Sequence, residues 1–261
     1  MLQLVIPAYN EEARLPRTLR ELRRHVLRAR AVTGPVEVIV VDNASTDATA
    51  AVALAADSAA LPVQVVGCPT PGKGAAVRAG MAVTDAEVVG FMDADGATRL
   101  DALEEGWRRL ATGADVAIGS RAAEGADTAV RHSWLRERGA RAYRSCAARI
   151  VPGISDTQCG FKLMDGDLGR HVFRLLETTG FAFDVELLAL ARASGATVAE
   201  FPVTWADVPG STFAPVRHGA GSFADLARIG RRMRQVRIAT EAATPQPAFR
   251  PVIVPPLAAE G

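Results

Sequence analysis

Short apolar runs recur along this chain, separated by longer stretches in which apolar residues return every three or four positions. The short runs are Leu2–Ile6, Val36–Val41, Val63–Val66, Glu87–Met92, Asp115–Gly119 and Thr197–Val203. Their length and their wealth of β-branched residues predict six strands. The first long stretch, Pro16–Arg30, is bordered by Leu15 and sets Leu15, Leu19, Leu22 and Val26 on one helical face, with Pro16 suited to a first turn. Further helices are expected over Asp47–Ala56, Ala75–Val83 and Leu100–Leu110. Gly125–Gly153 is an Arg-rich helical pattern, Leu175–Ala193 reads as one helix, and Ser222–Val236 carries Phe223, Leu226, Ile229, Met233 and Val236 on one face.

Alternating strands and helices predict an α/β fold, with a mostly parallel central sheet covered by helices on both sides. Ligands of such sheets bind beyond the carboxyl ends of the strands. Polar residues that directly follow a strand are therefore the candidates for function. Residues 1–240 read as one domain. Residues 241–261, with Pro245, Pro247, Pro251, Pro255 and Pro256, read as a disordered tail.

Composition narrows the classes. With 49% hydrophobic and 23% charged residues the chain is of the soluble globular type, and a net charge of +1 supplies no overall field to recruit nucleic acid. Cys68, Cys146 and Cys159 form neither a disulfide framework nor a zinc pattern, and His25, His132, His171 and His218 lack metal spacing. The first strand opens at Leu2, which leaves no room for a leader, and no apolar run reaches the ~20 residues that span a bilayer. A cytoplasmic location is expected. Arg228, Arg231, Arg232 and Arg234 lie opposite the apolar stripe of the last helix. That helix suits either peripheral contact with the inner membrane face or packing on the core with a solvated basic face.

Two rarities sharpen the picture. The only lysines are Lys73 and Lys162, and the only asparagines are Asn10 and Asn43. All four fall within the segments that follow.

Val5-Ile6-Pro7-Ala8-Tyr9-Asn10-Glu11-Glu12 ends the first strand with a ring and carboxylates that suit a base and ribose, or merely a strand-to-helix turn. Asp42 ends the second strand as a candidate acceptor for base or ribose, while Ser45, Thr46 and Asp47 are expected to cap the next helix. Gly72-Lys73-Gly74 combines close backbone approach with a charge for phosphate, without the spacing of a P-loop. Asp93 and Asp95 follow the fourth strand. Residues two apart in an extended segment project to one side, so these carboxylates can meet one Mg²⁺ or Mn²⁺. No EF-hand ladder follows them. Asp156 is a base or an orienting carboxylate, and Lys162 neutralises a phosphate or pairs with a core carboxylate. Cys159 reads as a small buried residue. Asp184 and Glu186 are active-site acids or helix N-terminal charges.

Taken in order, VIPAYNEE, VVDNASTDAT, GKGAAVRAGM, MDAD, IGSR, SDTQCGFK and FAFDVELL resemble family 2 glycosyltransferases of the GT-A fold. Within that family they look like the dolichyl-phosphate and polyprenyl-phosphate glucosyltransferases and their mannosyl relatives. The resemblance runs from Leu2 to Arg237. It implies a Rossmann-like nucleotide-binding half in which Pro7, Tyr9, Glu11 and Asp42 hold the nucleoside, with Lys73 and Arg78 near the nucleotide. Asp93 and Asp95 carry Mg²⁺ or Mn²⁺ on the diphosphate of a nucleotide-diphosphate sugar donor, UDP-glucose first and GDP-mannose next. Asp156 lies beside the transferred sugar or acceptor, and Arg121, Gln158 and Lys162 face the acceptor or its phosphate. The implied reaction is an inverting hexosyl transfer to a polyprenyl phosphate. Gly210-Ser211 is followed by Thr212 where relatives often carry a lysine, and no membrane anchor is present. A soluble small-molecule acceptor therefore stays beside the lipid phosphate. A non-catalytic nucleotide-binding protein is a further alternative. A nucleotidyltransferase or a Rossmann dehydrogenase is disfavoured, since neither a triphosphate loop nor GxGxxG follows the first strand.

Overall fold

In the computed structural model, the backbone is described for residues 1–129, 134–206 and 215–242, and side chains for 1–128, 138–206 and 221–236. The elements are β1 (Leu2–Ala8), α1 (Leu15–Thr33), β2 (Val36–Asp42), α2 (Thr49–Leu54), β3 (Val63–Gly67), α3 (Lys73–Met81), β4 (Val88–Met92), α4 (Ala102–Ala111), β5 (Val116–Ser120), β6 (Asp127–Ala129), α5 (Trp134–Ile150), β7 (Phe161–Asp165), α6 (Gly166–Leu175), α7 (Phe183–Ala193), β8 (Val198–Pro202), β9 (Thr204–Ala206) and α8 (Pro215–Ala242). All six predicted strands are present.

Seven strands form one sheet in the order β3-β2-β1-β4-β7-β5-β8. Strands β1 to β4 run parallel, as do β5 and β8, and β7 lies antiparallel between β4 and β5. The start of β7 therefore meets the edge at which the other strands end. Strand order reverses between β1 and β4, which opens a crevice at that edge. A short parallel pair, β6 with β9, stands apart.

Alternation along each strand feeds two cores. Val5, Ile39, Val41, Val89 and Phe91 pack with α3, α6 and α7, while Leu2, Leu4, Ile6, Val38 and Val40 pack with Leu15, Leu19 and Leu22 of α1 and Leu103 and Leu110 of α4. Burial on both faces explains why the strands read as continuous apolar runs.

Three expectations change. Strand β7 was not anticipated: Phe161–Asp165 contains Lys162 and ends in Asp165, yet every residue of it is buried. The helix expected over Leu175–Ala193 starts only at Phe183, as α7, and an unanticipated helix α6 over Gly166–Leu175 ends where it was expected to begin. The intervening Thr178-Thr179-Gly180 packs against α3, where Thr179 O accepts the Ala75 N–H at 3.1 Å. The Arg-rich stretch begins with β6 before α5 follows.

Leu226, Ile229 and Met233 of α8 are buried, and α8 packs on α5 and α7. Arg232 pairs with Glu186 and, at 3.2 Å, with Glu177. Leu226, Ile229 and Met233 of the apolar stripe are thus occupied by core packing, while Phe223 stays exposed. Among the described residues no helix is long and apolar enough to cross a membrane. The expected tail from residue 243 onward, the late loop with Gly210 to Thr212, His132 and His218 lie outside the described residues or side chains.

Candidate active site

The crevice begins with two loops laced together. Asn10, with φ 54, takes a left-handed conformation that asparagine tolerates. Its Oδ1 accepts the Thr46 N–H at 2.8 Å and its own N–H donates to Ser45 Oγ at 3.0 Å. The Glu11 N–H donates to Thr49 Oγ1 at 2.8 Å, and Glu12 Oε2 accepts the Ala48 N–H at 2.9 Å. Asp42, level with Ala8 in the register, accepts the Ser45 N–H at 3.1 Å. The capping expectation is not met: the N-cap of α2 is Ala48, without a side-chain cap, while Asp47 accepts the Thr49 N–H at 2.9 Å from one residue further out and Ser45 and Thr46 join the loops. Asn43 donates to Cys68 O at 3.1 Å and Thr70 O at 2.7 Å and accepts the Gly72 N–H at 2.9 Å. Both asparagines therefore organise strand-end loops. Half-buried Pro7 and the 48% exposed Tyr9 line the same rim.

Helix α3 starts where Gly72, at φ 121, would drive a Cβ to 2.2 Å from Thr179 O. That fit fixes the position of Lys73, whose Nζ lies 2.5 Å from Asp93 Oδ1. Burial works to lower the Lys73 ammonium, but the charges of Asp93 and Asp184 more than offset it and hold the group above its usual range. Asp93 follows β4 with its side chain 38% exposed. Asp95 Oδ1 accepts the Ala97 N–H at 3.0 Å. Burial first, then the charge of Asp93, raises the Asp95 carboxyl, so the two carboxylates share one space. Across the crevice Glu11 is buried and gripped by Arg14 through Nε at 2.7 Å and through Nη2. Burial raises the Glu11 carboxyl against the pull of Arg14, and Asp95 and Asp93 add to the rise.

A small hard dication bound through one or two carboxylates, with phosphates and water completing the shell, suits this arrangement. Among the described residues no group of three or more His, Cys, Asp or Glu gathers around a point, and Asp93 and Asp95 offer two carboxylates at the strand end. Gly160, just before β7, is pressed against Asp93: a Cβ there would lie 1.9 Å from Asp93 Oδ2.

The far wall holds the remaining candidates. Arg121, just after β5, clasps Asp156 through Nε at 2.7 Å and Nη2 at 2.9 Å, and its N–H adds a third bond at 3.0 Å. Gln158 N–H donates to the same carboxylate at 3.2 Å, and Gln158 Nε2 donates to Phe181 O at 3.3 Å. Burial works to raise the Asp156 carboxyl, but Arg121 outweighs it and keeps the group below the ordinary carboxylate range. Arg121 also lies over the Trp205 ring at 5.6 Å. Of the two readings of Asp156, the geometry favours the orienting carboxylate over the base.

One expectation is corrected. Lys162 is fully enclosed, with Nζ 2.5 Å from Asp184 Oδ1 and 2.7 Å from Cys159 O, so it pairs with a core carboxylate instead of facing a phosphate or acceptor. Arg78, in the last turn of α3, donates to Leu176 O at 2.9 Å and ties that helix to the α6–α7 connection. Asp184 and Glu186 are likewise structural. Glu186 accepts the N–H of Glu177 at 3.2 Å and of Thr178 at 2.7 Å besides holding Arg232. The Cys159 thiol is pushed up to about 11 by burial and the Asp156 charge, in keeping with a buried, unreactive residue. Arg14 and Trp205 escaped the sequence reading because nothing sets one arginine apart in an Arg-rich chain or announces which wall a tryptophan joins. Gly160 stood inside a quoted block without a role.

Residues 3–169 match the model of glycosyl transferase family 2. The chain is 38% identical over 226 residues to dolichyl-phosphate beta-glucosyltransferase of Drosophila melanogaster, covering 82% of this chain and 69% of that one. The enzyme of the same description from Mus musculus is 35% identical over 82% of this chain and 70% of its own. Among solved structures, mannosyl-3-phosphoglycerate synthase from Rubrobacter xylanophilus superposes with a TM-score of 0.63 at 19% identity, over 94% of this chain and 77% of that one. Glucosyl-3-phosphoglycerate synthase from Mycobacterium tuberculosis, in complex with Mn²⁺, UDP and glucosyl-3-phosphoglycerate, gives 0.55 at 20% identity over 94% and 81%. The fold likeness agrees with the GT-A architecture expected from the motifs. The strand-end residues, the reversed strand order and these similarities converge: this chain is a glycosyltransferase and belongs to glycosyl transferase family 2.

Proposed function

We propose that this enzyme moves glucose from UDP-glucose to a polyprenyl phosphate with inversion at the anomeric carbon. The glucosyl group and the phosphate acceptor follow the activity named for the relatives from Drosophila melanogaster and Mus musculus, and UDP follows the complex of the Mycobacterium tuberculosis synthase. Pro7, Tyr9, Glu11 and Asp42 are assigned to the nucleoside, and Asp93 and Asp95 to Mg²⁺ or Mn²⁺. When bound, that metal supplies Lewis-acid stabilisation of the departing diphosphate. Lys73 adds fixed positive charge beside it.

One observation carries the choice of acceptor. The Asp156 carboxylate is engaged by four donors and held below the ordinary carboxylate range by Arg121, so its lone pairs are already committed and it is a poor base for a hydroxyl. A phosphate acceptor reaches the anomeric carbon already ionised and needs no proton removed. Asp156 then orients Arg121 towards the acceptor phosphate, with Gln158 beside it. Acceptor oxygen bonds to the anomeric carbon as the bond to the diphosphate oxygen breaks, and the nucleoside diphosphate leaves.

The test is a donor screen with UDP-glucose and GDP-mannose in Mn²⁺ or Mg²⁺, followed by addition of polyprenyl phosphate or of soluble hydroxyl acceptors. The expected outcome is release of UDP that depends on metal and on the lipid phosphate, with a β-linked product. Transfer confined to hydroxyl acceptors would replace the lipid phosphate by a soluble substrate. Nucleotide binding with no sugar release under any condition would reduce the chain to a binding protein. Liposome co-sedimentation at low and high salt tests the peripheral membrane contact that a lipid acceptor implies.

A further inference from the structure

We propose that Lys73 is a resident cation that competes with the metal for Asp93, so that a nucleoside diphosphate admits the metal by drawing the ammonium away. This rests on the reading of Asp93 and Asp95 as metal ligands.

Lys73 Nζ lies 2.5 Å from Asp93 Oδ1, a direct contact on an oxygen that a dication needs. An ammonium and a metal cannot share that oxygen at contact distance without strong repulsion. The aspartate has little freedom to turn aside. Its Oδ2 lies against Gly160, so closely that a Cβ there would be 1.9 Å away. The carboxylate is thus held between a lysine and a backbone, and the lysine is the partner able to move.

The lysine backbone is itself fixed. A Cβ on Gly72 would meet Thr179 O at 2.2 Å, one on Gly74 would meet Thr178 O at 2.4 Å, and the Ala75 N–H donates to Thr179 O. Only the four-carbon stem can swing, and with 17% of the side chain exposed it borders the open crevice. Among the described residues Asp93 is the one ion-pair partner of Lys73, and the nearby Asp184 already holds Lys162 at 2.5 Å. An incoming diphosphate is therefore the anion that receives the displaced ammonium, and in leaving Asp93 the lysine frees the oxygen for the metal. One side chain makes metal and nucleotide binding favour each other, beyond whatever ligands the phosphates lend to the metal.

Mn²⁺ binding measured by electron paramagnetic resonance, without turnover, tests this in wild type and Lys73→Met, with and without UDP. Without UDP, Lys73→Met is expected to bind Mn²⁺ about tenfold more tightly than wild type, the loss of a contact charge. It should also bind UDP more weakly and show less enhancement of Mn²⁺ affinity by UDP. Lys73→Arg, which keeps the charge, should hold Mn²⁺ as weakly as wild type. Equal Mn²⁺ affinity of wild type and Lys73→Met without UDP overturns the competition while leaving the metal assignment standing. Failure of wild type to bind Mn²⁺ even with UDP present removes that assignment and this proposal together.

Discussion

Lys162 Nζ lies 2.5 Å from Asp184 Oδ1, with both side chains closed to solvent. The pair sits under the strand that ends in Asp93, since Lys162 is level with Phe91 in the β4–β7 register and its ammonium is 5.2 Å from that ring. Lys73, the other lysine, is on Asp93, and the charge of Asp184 also acts on it. Both lysines of the chain thus belong to one run of alternating charges, from the rim of the sheet into its core.

Removing one member of the buried pair leaves an uncompensated charge in the interior. Lys162→Met or Asp184→Leu alone is expected to lower unfolding stability by about 3 kcal/mol or more, and the double variant by less than the sum. Urea denaturation of the four proteins measures this, and additive losses would show that the two groups do not couple.

Asp93→Ala and Asp95→Ala should each lower metal-dependent sugar release by about 100-fold or more. Asp57→Ala is the comparison: it loses the bond to the Val63 N–H at 2.9 Å, worth about 1 kcal/mol, but should keep its turnover. Equal turnover in all three variants would end the case for the two rim aspartates.

Gly160→Ala tests the site without touching a charged group. The added methyl collides with Asp93 Oδ2 and forces out of place a carboxylate whose other oxygen is held by Lys73. Activity should fall at least about tenfold through misplacement of one ligand, while the thermal midpoint moves by only a few degrees. Wild-type kinetics would mean that the position of Asp93 is immaterial.

Arg121→Gln carries a pH signature. With Arg121 present the folded-state Asp156 carboxyl is depressed, so its contribution to stability is full above the unfolded value near pH 4 and fades as pH falls through the lower folded value. Without Arg121 the buried carboxyl loses its main partner and burial raises it. The variant should then be less stable than wild type by about 2 kcal/mol at pH 7, below the ~3–5 of a fully buried pair because the Arg121 side chain is 34% exposed. The gap should narrow towards pH 4. Denaturation midpoints at both pH values decide it, and a gap that stays constant would mean Asp156 does not titrate through this contact.

Much of this architecture is written locally. Parallel strands buried on both faces need unbroken apolar runs, so β1, β2 and β4 and their ends could be read directly. Each run stops at the first group that must stay solvated, which is why Asp42 and Asp93 stood out as strand-end residues. Strand β7 could not be read that way. Lys162 interrupts its pattern, and only Asp184, brought in by α7, makes that lysine compatible with the core.

The sequence by itself determined the buried runs of β1 to β5 and β8, the apolar face of α1, and the polar side chains that follow those strands, because those follow from the periodicity of burial. Only the tertiary structure decided the partners: Lys73 with Asp93, Arg121 with Asp156, Lys162 with Asp184. Charges attract whichever opposite charge the topology brings within a few ångströms, and that distance is not encoded in spacing along the chain.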